Sequence, residues 1–227
     1  MCGRIALYTP PQRLARLLEA ALAAGVDPVG EPSWNVGPQR DLFGVSSTAD
    51  GRVLDTYRWG LVPWWSTEGT AQRTFNARAE TVATRSMFRD AYHRRQRLLV
   101  PVDGFFEWDH RDGTKVPHFF TRADGAPIVL AGLYDLWRDR TQPRDTERLR
   151  TCTVITTTPS ADVDGIHDRM PVVLDPEDFD QWLTGDADDA LHALLAPAPR
   201  GTLVHHEVDR RVGNVANDGP ELIAAAS

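Results

Sequence analysis

Hydrophobic and polar residues alternate along much of this chain, and the alternating stretches are short. Strand-like segments of this kind lie at residues 4–9, 42–47, 52–62, 98–109, 117–122, 128–138, 150–158 and 203–212. Most are bounded by Gly, Pro, Asn or Asp, the residues typical of turns. Many strands without a regular strand–helix–strand rhythm indicate a mixed, largely antiparallel sheet or an open barrel.

Helical spacing of apolar residues is confined to a few segments. The candidates are residues 12–24, 87–96, a segment that begins at 175, and 188–195. Gly25 would end the first helix and Ser86 would cap the second, while Asp175 followed by Pro176 is a helix-start signal. The sequence therefore predicts a β-rich α+β fold, with an open barrel-like core and a few short helices, in a single domain over residues 1–227.

The composition excludes several classes of protein. The 227 residues are 41% hydrophobic and 25% charged, as in folded globular proteins. The longest apolar runs, such as residues 127–133, are much shorter than a membrane span, and the first residues lack the pattern of a secretory signal. Cys2 and Cys152 alone make no disulfide framework and no metal cluster. We therefore expect a cytoplasmic protein with no metal, no cofactor and no membrane contact, in which Cys152 is a buried strand residue.

The charges are segregated along the chain. The formal net charge of −7 argues against a nucleic-acid partner. However, residues 73–97 contain seven arginines and two acids, whereas residues 160–195 contain ten acids and one arginine. One surface could thus attract a polyanion while another repels it. The alternative is a solvated basic helix face.

The N-terminus carries the most unusual chemistry. Removal of Met1 would leave Cys2 with a free α-amine beside its thiol, groups whose ordinary pKa values are about 8 and about 8.5. A 1,2-aminothiol of this kind condenses with an aldehyde to an imine, and its thiol then closes a five-membered thiazolidine. The plainer interpretation is a residue near a frayed terminus.

Three polar side chains stand out elsewhere. Asn76 could orient a carbonyl or an amine, and His167, beside an acid in a loop, is a candidate general acid. Glu107 lies among aromatic residues, where burial would raise its pKa. Strand alternation places Glu107 on the face of Phe105 and opposite to Trp108. The plainer interpretations are a turn asparagine, a surface histidine and a solvated glutamate.

Aromatic and basic residues add a possible DNA surface. Trp59 is predicted to lie in the core. Trp64 and Trp65 are adjacent on a turn and cannot both face one core, so an exposed pair would form a platform for stacking bases. Arg78 offers a planar fork suited to phosphate.

Together these segments resemble the SOS response-associated peptidase (SRAP) family of abasic-site processing proteins. The resemblance spans nearly the whole chain, in the family's order. Its motifs are residues 1–4 (Met-Cys-Gly-Arg), 35–38 (Asn-Val-Gly-Pro), 58–65, 75–81, 101–108, 167–171, 212–215 and 217–220. Gly37 departs from the family, in which a slightly bulkier small residue is common, so a looser pocket wall is expected there.

The resemblance implies a monomeric, β-rich protein that acts on abasic sites in single-stranded DNA and associates with the nucleoid at DNA damage. It implies that the amine of Cys2 forms a Schiff base with the ring-opened sugar aldehyde and that the thiol closes a stable thiazolidine crosslink. The same cysteine would remove its own leading residue. By the same resemblance, His167 protonates the sugar ring oxygen, Glu107 moves protons and Asn76 positions the reacting groups. DNA contacts are implied for Arg4, Trp64, Trp65, Arg78, Arg85 and Trp108.

Two other functional classes remain open from the sequence. Class II glutamine amidotransferases also begin Met-Cys-Gly and use the cysteine thiol as nucleophile with its amine as base. They usually carry a second, synthase domain, and the motifs around Glu107 and His167 would go unexplained. A non-catalytic single-strand binder would use Trp64, Trp65 and the arginines alone.

Overall fold

The computed structural model describes residues 2–66, 73–111, 113–143 and 145–226. Over these residues the chain forms thirteen strands and four short α-helices. The strands are β1 (Ile5–Leu7), β2 (Ala20–Leu22), β3 (Ser33–Val36), β4 (Asp41–Thr48), β5 (Gly51–Trp59), β6 (Asn76–Arg78), β7 (Arg97–Val102), β8 (Gly104–Arg111), β9 (Thr114–Arg122), β10 (Ile128–Trp137), β11 (Leu149–Thr157), β12 (Met170–Pro171) and β13 (Leu203–Glu207). The helices are α1 (Pro11–Leu17), α2 (Arg89–His93), α3 (Phe179–Thr184) and α4 (Asp189–Ala193), with 3-10 turns at Ala79–Thr81, Pro176–Asp178, Arg210–Gly213 and Pro220–Ile223. None of these helices is long and apolar enough to cross a membrane.

The larger sheet curls into a barrel-like core. Strands β5, β4, β7, β10 and β11 are hydrogen-bonded in that order, each pair antiparallel. Strand β11 also pairs in parallel with β5, at Thr151–Arg58 and Cys152–Trp59, which joins the two ends of the path. Trp59 and Cys152 are fully buried, as predicted. The β-rich α+β architecture with largely antiparallel sheets is confirmed.

The second sheet has the order β13-β9-β8-β1-β3 and is antiparallel throughout. Its long β8–β9 hairpin separates side chains by the alternation that the sequence predicts. Phe105 packs into a cluster that also contains Cys2, whereas Phe106 packs into a different cluster, against which Trp108 also lies. Glu107 is therefore on the face that looks toward the N-terminal segment.

The alternating segment 98–109 is not the single strand that its pattern predicts. It divides at Asp103 into β7 of the barrel and β8 of the second sheet. The Asp103 carboxylate accepts the backbone N–H groups of Tyr8 at 2.6 Å and Thr9 at 2.8 Å, which ties the bend to the end of β1. At Gly104 a Cβ atom would lie 2.6 Å from the Phe120 carbonyl oxygen, so a side chain does not fit there.

The helix predicted over residues 12–24 is wrong in its second half. Helix α1 ends at Leu17, Glu19 has a φ of 52°, and Ala20–Leu22 form strand β2 in parallel with β5. A short isolated helix is only marginally stable, so the backbone pairing offered by the sheet edge prevails over the helical propensity of alanine and leucine. Ser86 likewise does not cap α2, whose first turn follows Phe88 without a side-chain cap.

The arginine-rich segment 73–97 is not one solvated helix face. Arg97 is fully buried and donates hydrogen bonds to the backbone carbonyls of Tyr92, Trp182 and Gly185. It holds α3 against the barrel. Arg97 is therefore a structural arginine, and the basic surface is made by the other arginines.

Candidate active site

Cys2 is buried and held in place, so the frayed-terminus interpretation is wrong. The residue is fully inaccessible to solvent and lies in a cluster with Phe105 and Val154. Its backbone carbonyl accepts a hydrogen bond of 2.5 Å from the side-chain amide of Asn76. Asn76 is positioned by β6, which pairs in parallel with β11 at Val154. The amide thus anchors the N-terminal segment to the barrel edge.

The environment of the Cys2 thiol favours its protonated form. Burial raises the pKa of this thiol, and the negative charge of Glu107 raises it further. The thiol is therefore neutral at pH 7 in the described fold. A nearby base is needed before the sulfur can act as a strong nucleophile.

Glu107 can act as this base because its carboxyl group is buried: the residue lies on β8 and is only 1% exposed. Burial raises its pKa to about 7, so both the acid and the carboxylate are populated near neutral pH. The solvated-glutamate interpretation is wrong. The Oε2 atom of Glu107 lies 3.7 Å from Nε2 of His167, which brings the 101–108 and 167–171 motifs together.

His167 lies in the loop between β11 and β12, and its Nδ1 atom has two kinds of neighbour. The backbone N–H of Arg169 is 2.9 Å away and the carboxylate of Asp168 is 3.0 Å away. A neutral ring accepts the amide at Nδ1 and carries its proton on Nε2, toward Glu107. A charged ring can instead donate from Nδ1 to Asp168. Burial lowers the pKa of His167, so the neutral ring prevails at pH 7.

Arg169 and Glu80 position this loop, and neither residue stands out in the local sequence. The guanidinium of Arg169 meets the Glu80 carboxylate with two contacts, of 2.5 and 3.0 Å, and also donates to the Thr156 carbonyl at 2.6 Å. This hydrogen-bonded pair lowers the pKa of Glu80. It connects the motif that holds Asn76 with the motif that holds His167. The indication in the sequence is that the 75–81 motif contains an acid, Glu80, and the 167–171 motif contains a base, Arg169.

The side chain of Arg4 is half-buried and is held by hydrogen bonds to other parts of the protein. Its Nη1 atom donates to the side-chain oxygen of Asn35 at 2.7 Å and to the carbonyl of Val212 at 2.6 Å, and its guanidinium lies 5.9 Å from the centre of the Trp108 ring. The Asn35 amide donates to the carbonyls of Asn214 and of two further residues in the 212–217 segment. Three of the motifs thus meet around one arginine.

Gly37 lies next to this cluster, where the sequence predicts a looser wall. A Cβ atom at Gly37 would lie 3.2 Å from a methyl group of Val215. The space beside Gly37 is therefore taken up from the opposite side by Val215.

The remaining predicted DNA contacts lie on the surface. Trp64 and Trp65 are 46% and 40% exposed, so neither belongs to the core. Arg78 is exposed at the end of β6, two residues from Asn76, and Arg85 is exposed in the turn that precedes α2. The structure thus brings together Cys2, Asn76, Glu107 and His167, with Arg4, Trp108 and Arg78 close to them in the chain or sheet. Contact of these residues with DNA stays a prediction.

One further titratable pair lies beside the site. His118 stands directly opposite Glu107 in the β8–β9 ladder and is 3% exposed. Its Nδ1 atom is 3.2 Å from Nδ1 of His205, which is exposed on β13. Equal spacing from the hairpin turn could have revealed the pairing of Glu107 with His118 from sequence.

The comparison with protein families agrees with this arrangement. A family model described as "SOS response associated peptidase (SRAP)" matches residues 1–215. The chain belongs to the SRAP family. The abasic site processing protein YoqW of Bacillus subtilis is 33% identical over 229 residues, which cover 98% of this chain and 99% of that relative. YedK of Escherichia coli, which carries the same descriptive name, is 32% identical over 98% of this chain and 99% of its own length. HMCES of Gallus gallus, another protein of that description, is 30% identical over 98% of this chain and 77% of its own length.

Solved structures support the fold of this SRAP protein. An X-ray structure of a protein from Bacteroides thetaiotaomicron matches over the full length of both chains, with a TM-score of 0.87 and 24% identity. A second, from Bordetella bronchiseptica, has a TM-score of 0.76 and 29% identity over 92% of this chain and all of that one. At 24% identity, the similarity to the Bacteroides thetaiotaomicron structure supports the fold alone.

Proposed function

We propose that this SRAP protein processes abasic sites in single-stranded DNA by forming a thiazolidine crosslink through Cys2. The observation that carries the proposal is the buried cluster in which Asn76 holds the Cys2 backbone while Glu107 and His167 stand alongside. The names of YoqW, YedK and HMCES support the same class of substrate. The proposal requires removal of Met1, which lies outside the described residues, because the α-amine of Cys2 is one of the two nucleophiles.

The first chemical step forms an imine. Ring opening of the abasic sugar gives an aldehyde at C1′: the protonated form of His167, the minor form at pH 7, would give its proton to the ring oxygen while the carboxylate of Glu107 takes the proton of the 1′-hydroxyl. The Cys2 amine adds to C1′, and water leaves as the carbon–nitrogen double bond forms. Glu107, with a pKa of about 7, gives the proton that converts the departing hydroxyl into water.

The second step closes the ring. Because burial keeps the Cys2 thiol protonated, the carboxylate of Glu107 takes its proton as sulfur adds to the imine carbon. Glu107 passes this proton on to the imine nitrogen, and the product is a neutral five-membered thiazolidine that contains the amine, the thiol and C1′. Asn76 fixes the Cys2 carbonyl so that both nucleophiles reach one carbon.

A DNA surface around this cluster supplies binding. Arg78 and Arg85 would contact backbone phosphates, and Trp64 and Trp65 would stack on bases beside the lesion. We further propose that Cys2 removes Met1 itself and that the protein acts as a monomer.

The test uses single-stranded DNA with one abasic site, analysed on a denaturing gel. The wild type should give a shifted band that survives boiling, and Cys2→Ala should give none. Cys2→Ser keeps the amine without the thiol, so it should give a band only after borohydride reduction of the imine. Cys152→Ala is the matched control for loss of a thiol and should still crosslink. The proposal is refuted if a wild-type sample, shown by mass spectrometry to begin at Cys2, gives no crosslinked band.

A second readout separates this activity from the amidotransferase alternative. The same samples are assayed for release of ammonia from glutamine. We expect none, because the thiol of Cys2 is held protonated. Glutamine hydrolysis without a DNA band would favour the alternative.

A further inference from the structure

A cationic groove lies beside Trp64, apart from the cluster around Cys2. Its volume is about 610 Å³, and four arginines line it together with Trp64 and Asp135. These arginines are Arg94, Arg138, Arg140 and Arg148. Only Arg94 lies in the arginine-rich segment that the sequence marked as basic. The groove collects the others from the end of β10 and the loop that follows it, so it arises from the tertiary fold.

The arginines of this groove outnumber its acidic groups, since four guanidinium groups share it with the single carboxylate of Asp135. The Asp135 carboxylate is buried and accepts the backbone N–H groups of Trp64 at 3.0 Å and Leu136 at 2.7 Å, and among the groove arginines Arg94 acts on it electrostatically. The guanidinium groups of Arg94, Arg140 and Arg148 form no ion pair with any residue in the described ranges. Clustered like charges repel one another in the free protein. In a chain with more acids than bases, this arrangement suits an anionic ligand.

Trp64 adds a flat, anchored surface to the charges. Its indole is 46% exposed, and the guanidinium of Arg140 lies 5.8 Å from the centre of its ring. The carboxylate of Asp135 fixes its backbone, and Trp137 donates from its indole nitrogen to the Ser66 carbonyl, which secures the end of the same turn. An aromatic face beside arginines is the recurrent combination in sites for single-stranded nucleic acid.

The groove lies at a useful distance from the proposed reaction site. Asp135 pairs with Thr151 in β11, and Asn76 pairs with Val154 of the same strand. Three residues along β11 correspond to about 10 Å, and the two strand spacings across it add about 5 Å each, so the two residues are about 14 Å apart. A DNA strand whose abasic sugar sits at Cys2 can therefore extend into the groove within a few nucleotides.

We propose that the arginines of this groove bind the phosphodiester backbone of the DNA strand on one side of the lesion, beyond the base that Trp64 contacts in the proposed function. The inference rests on the proposed function for its substrate. It adds an anchoring subsite made by arginines that lie outside the family motifs. The affinity of the protein for single strands would then come in good part from contacts remote from the abasic sugar.

The experiment measures noncovalent binding of a fluorescent oligothymidine without an abasic site, over a range of salt concentrations. The variant Arg94→Ala/Arg140→Ala/Arg148→Ala removes three exposed charges. We expect at least a tenfold loss of affinity at low salt, and a flatter plot of log affinity against log salt by about 1 to 2, because each phosphate contact contributes about 0.7. Trp64→Leu should weaken binding and leave this slope unchanged, since stacking releases no counterions.

The matched control removes three exposed arginines elsewhere, in the variant Arg13→Ala/Arg16→Ala/Arg200→Ala. Its affinity and slope should equal those of the wild type. Wild-type binding by the groove variant overturns the inference, and so does equal competition by polyglutamate, which would mark a site for acidic protein. Because the oligothymidine has no abasic site, binding by the groove would still be established if the crosslinking test failed. A wild-type crosslink together with unchanged binding by the groove variant would refute the groove inference and leave the proposed function intact.

Discussion

The buried carboxyl group of Glu107 should make the protein less stable as the pH rises. Burial raises its pKa from 4.5 to about 7, so the folded state binds this proton more tightly than the unfolded state. Stability contributed by the protonated group is present at low pH and declines between about pH 4.5 and about pH 7. Since each tenfold change in proton affinity is worth about 1.4 kcal/mol, the full effect is about 3 kcal/mol. About 2.5 kcal/mol of it falls between pH 5 and pH 8.

Glu107→Gln replaces the titrating group with a neutral one of the same shape. The free energy of unfolding of this variant relative to the wild type should therefore increase by about 2.5 kcal/mol between pH 5 and pH 8. Urea unfolding at several pH values measures the difference. The pH dependence of that difference is decisive, because hydrogen bonds gained or lost by the amide act equally at every pH. The same substitution at exposed Glu177 is the control and should follow the wild type.

A difference between Glu107→Gln and the wild type that stays constant from pH 5 to pH 8 would refute the reasoning. The proposed chemistry adds a second expectation for this variant. Glu107→Gln should crosslink abasic DNA at least tenfold more slowly than the wild type, since a positioned acid or base typically contributes a factor of about 100 or more. The carboxyl group is thus expected to lower stability at neutral pH and to raise activity.

Further predictions concern other contacts of the site. Asn76→Ala removes the amide that holds the N-terminal carbonyl and should slow crosslinking about tenfold in single-turnover assays at saturating DNA, the equivalent of one lost hydrogen bond; an unchanged rate contradicts this role. Arg169→Lys keeps the positive charge but loses the contact of two guanidinium nitrogens with the Glu80 carboxylate, so backbone hydrogen exchange around His167 should accelerate and crosslinking should slow. Unchanged hydrogen exchange in this loop would show that Arg169 does not position it. Gly104→Ala should lower the free energy of unfolding by about 3 kcal/mol in urea, while Gly213→Ala, where a Cβ meets open space, should cost much less; equal costs would contradict the close approach.

The local sequence predicted elements whose pattern is short and self-contained. Alternation predicted the hairpin strands, including the opposite faces taken by Phe105 and Phe106, because a strand's side chains alternate whatever it pairs with. The exposure of Trp64 and Trp65 followed from their adjacency on a turn. Cys152 in its β-branched run was predicted to be buried in a strand, and it is.

Other elements were decided by competition between distant parts of the chain. Residues 20–22 become a strand because the edge of β5 is available to them, and segment 98–109 bends because the carboxylate of Asp103 caps the end of β1. Arg97 is buried because three backbone carbonyls converge on it, one from α2, one from α3 and one from Gly185 just after α3. Apart from Tyr92, which is five residues from Arg97, these partners are distant in sequence, so periodicity could not reveal them.

The sequence by itself determined which reactive groups this SRAP protein carries: a cysteine next to the N-terminus, a glutamate among aromatic residues, and a histidine in a loop. Only the tertiary structure decided that Cys2 is buried against Asn76 and that Glu107 has an acid–base range near neutrality. It also gathered the groove arginines around Trp64. The physical reason is that burial and electrostatic neighbours arise from strand pairings between residues far apart in sequence, whereas composition and spacing are properties of the local chain.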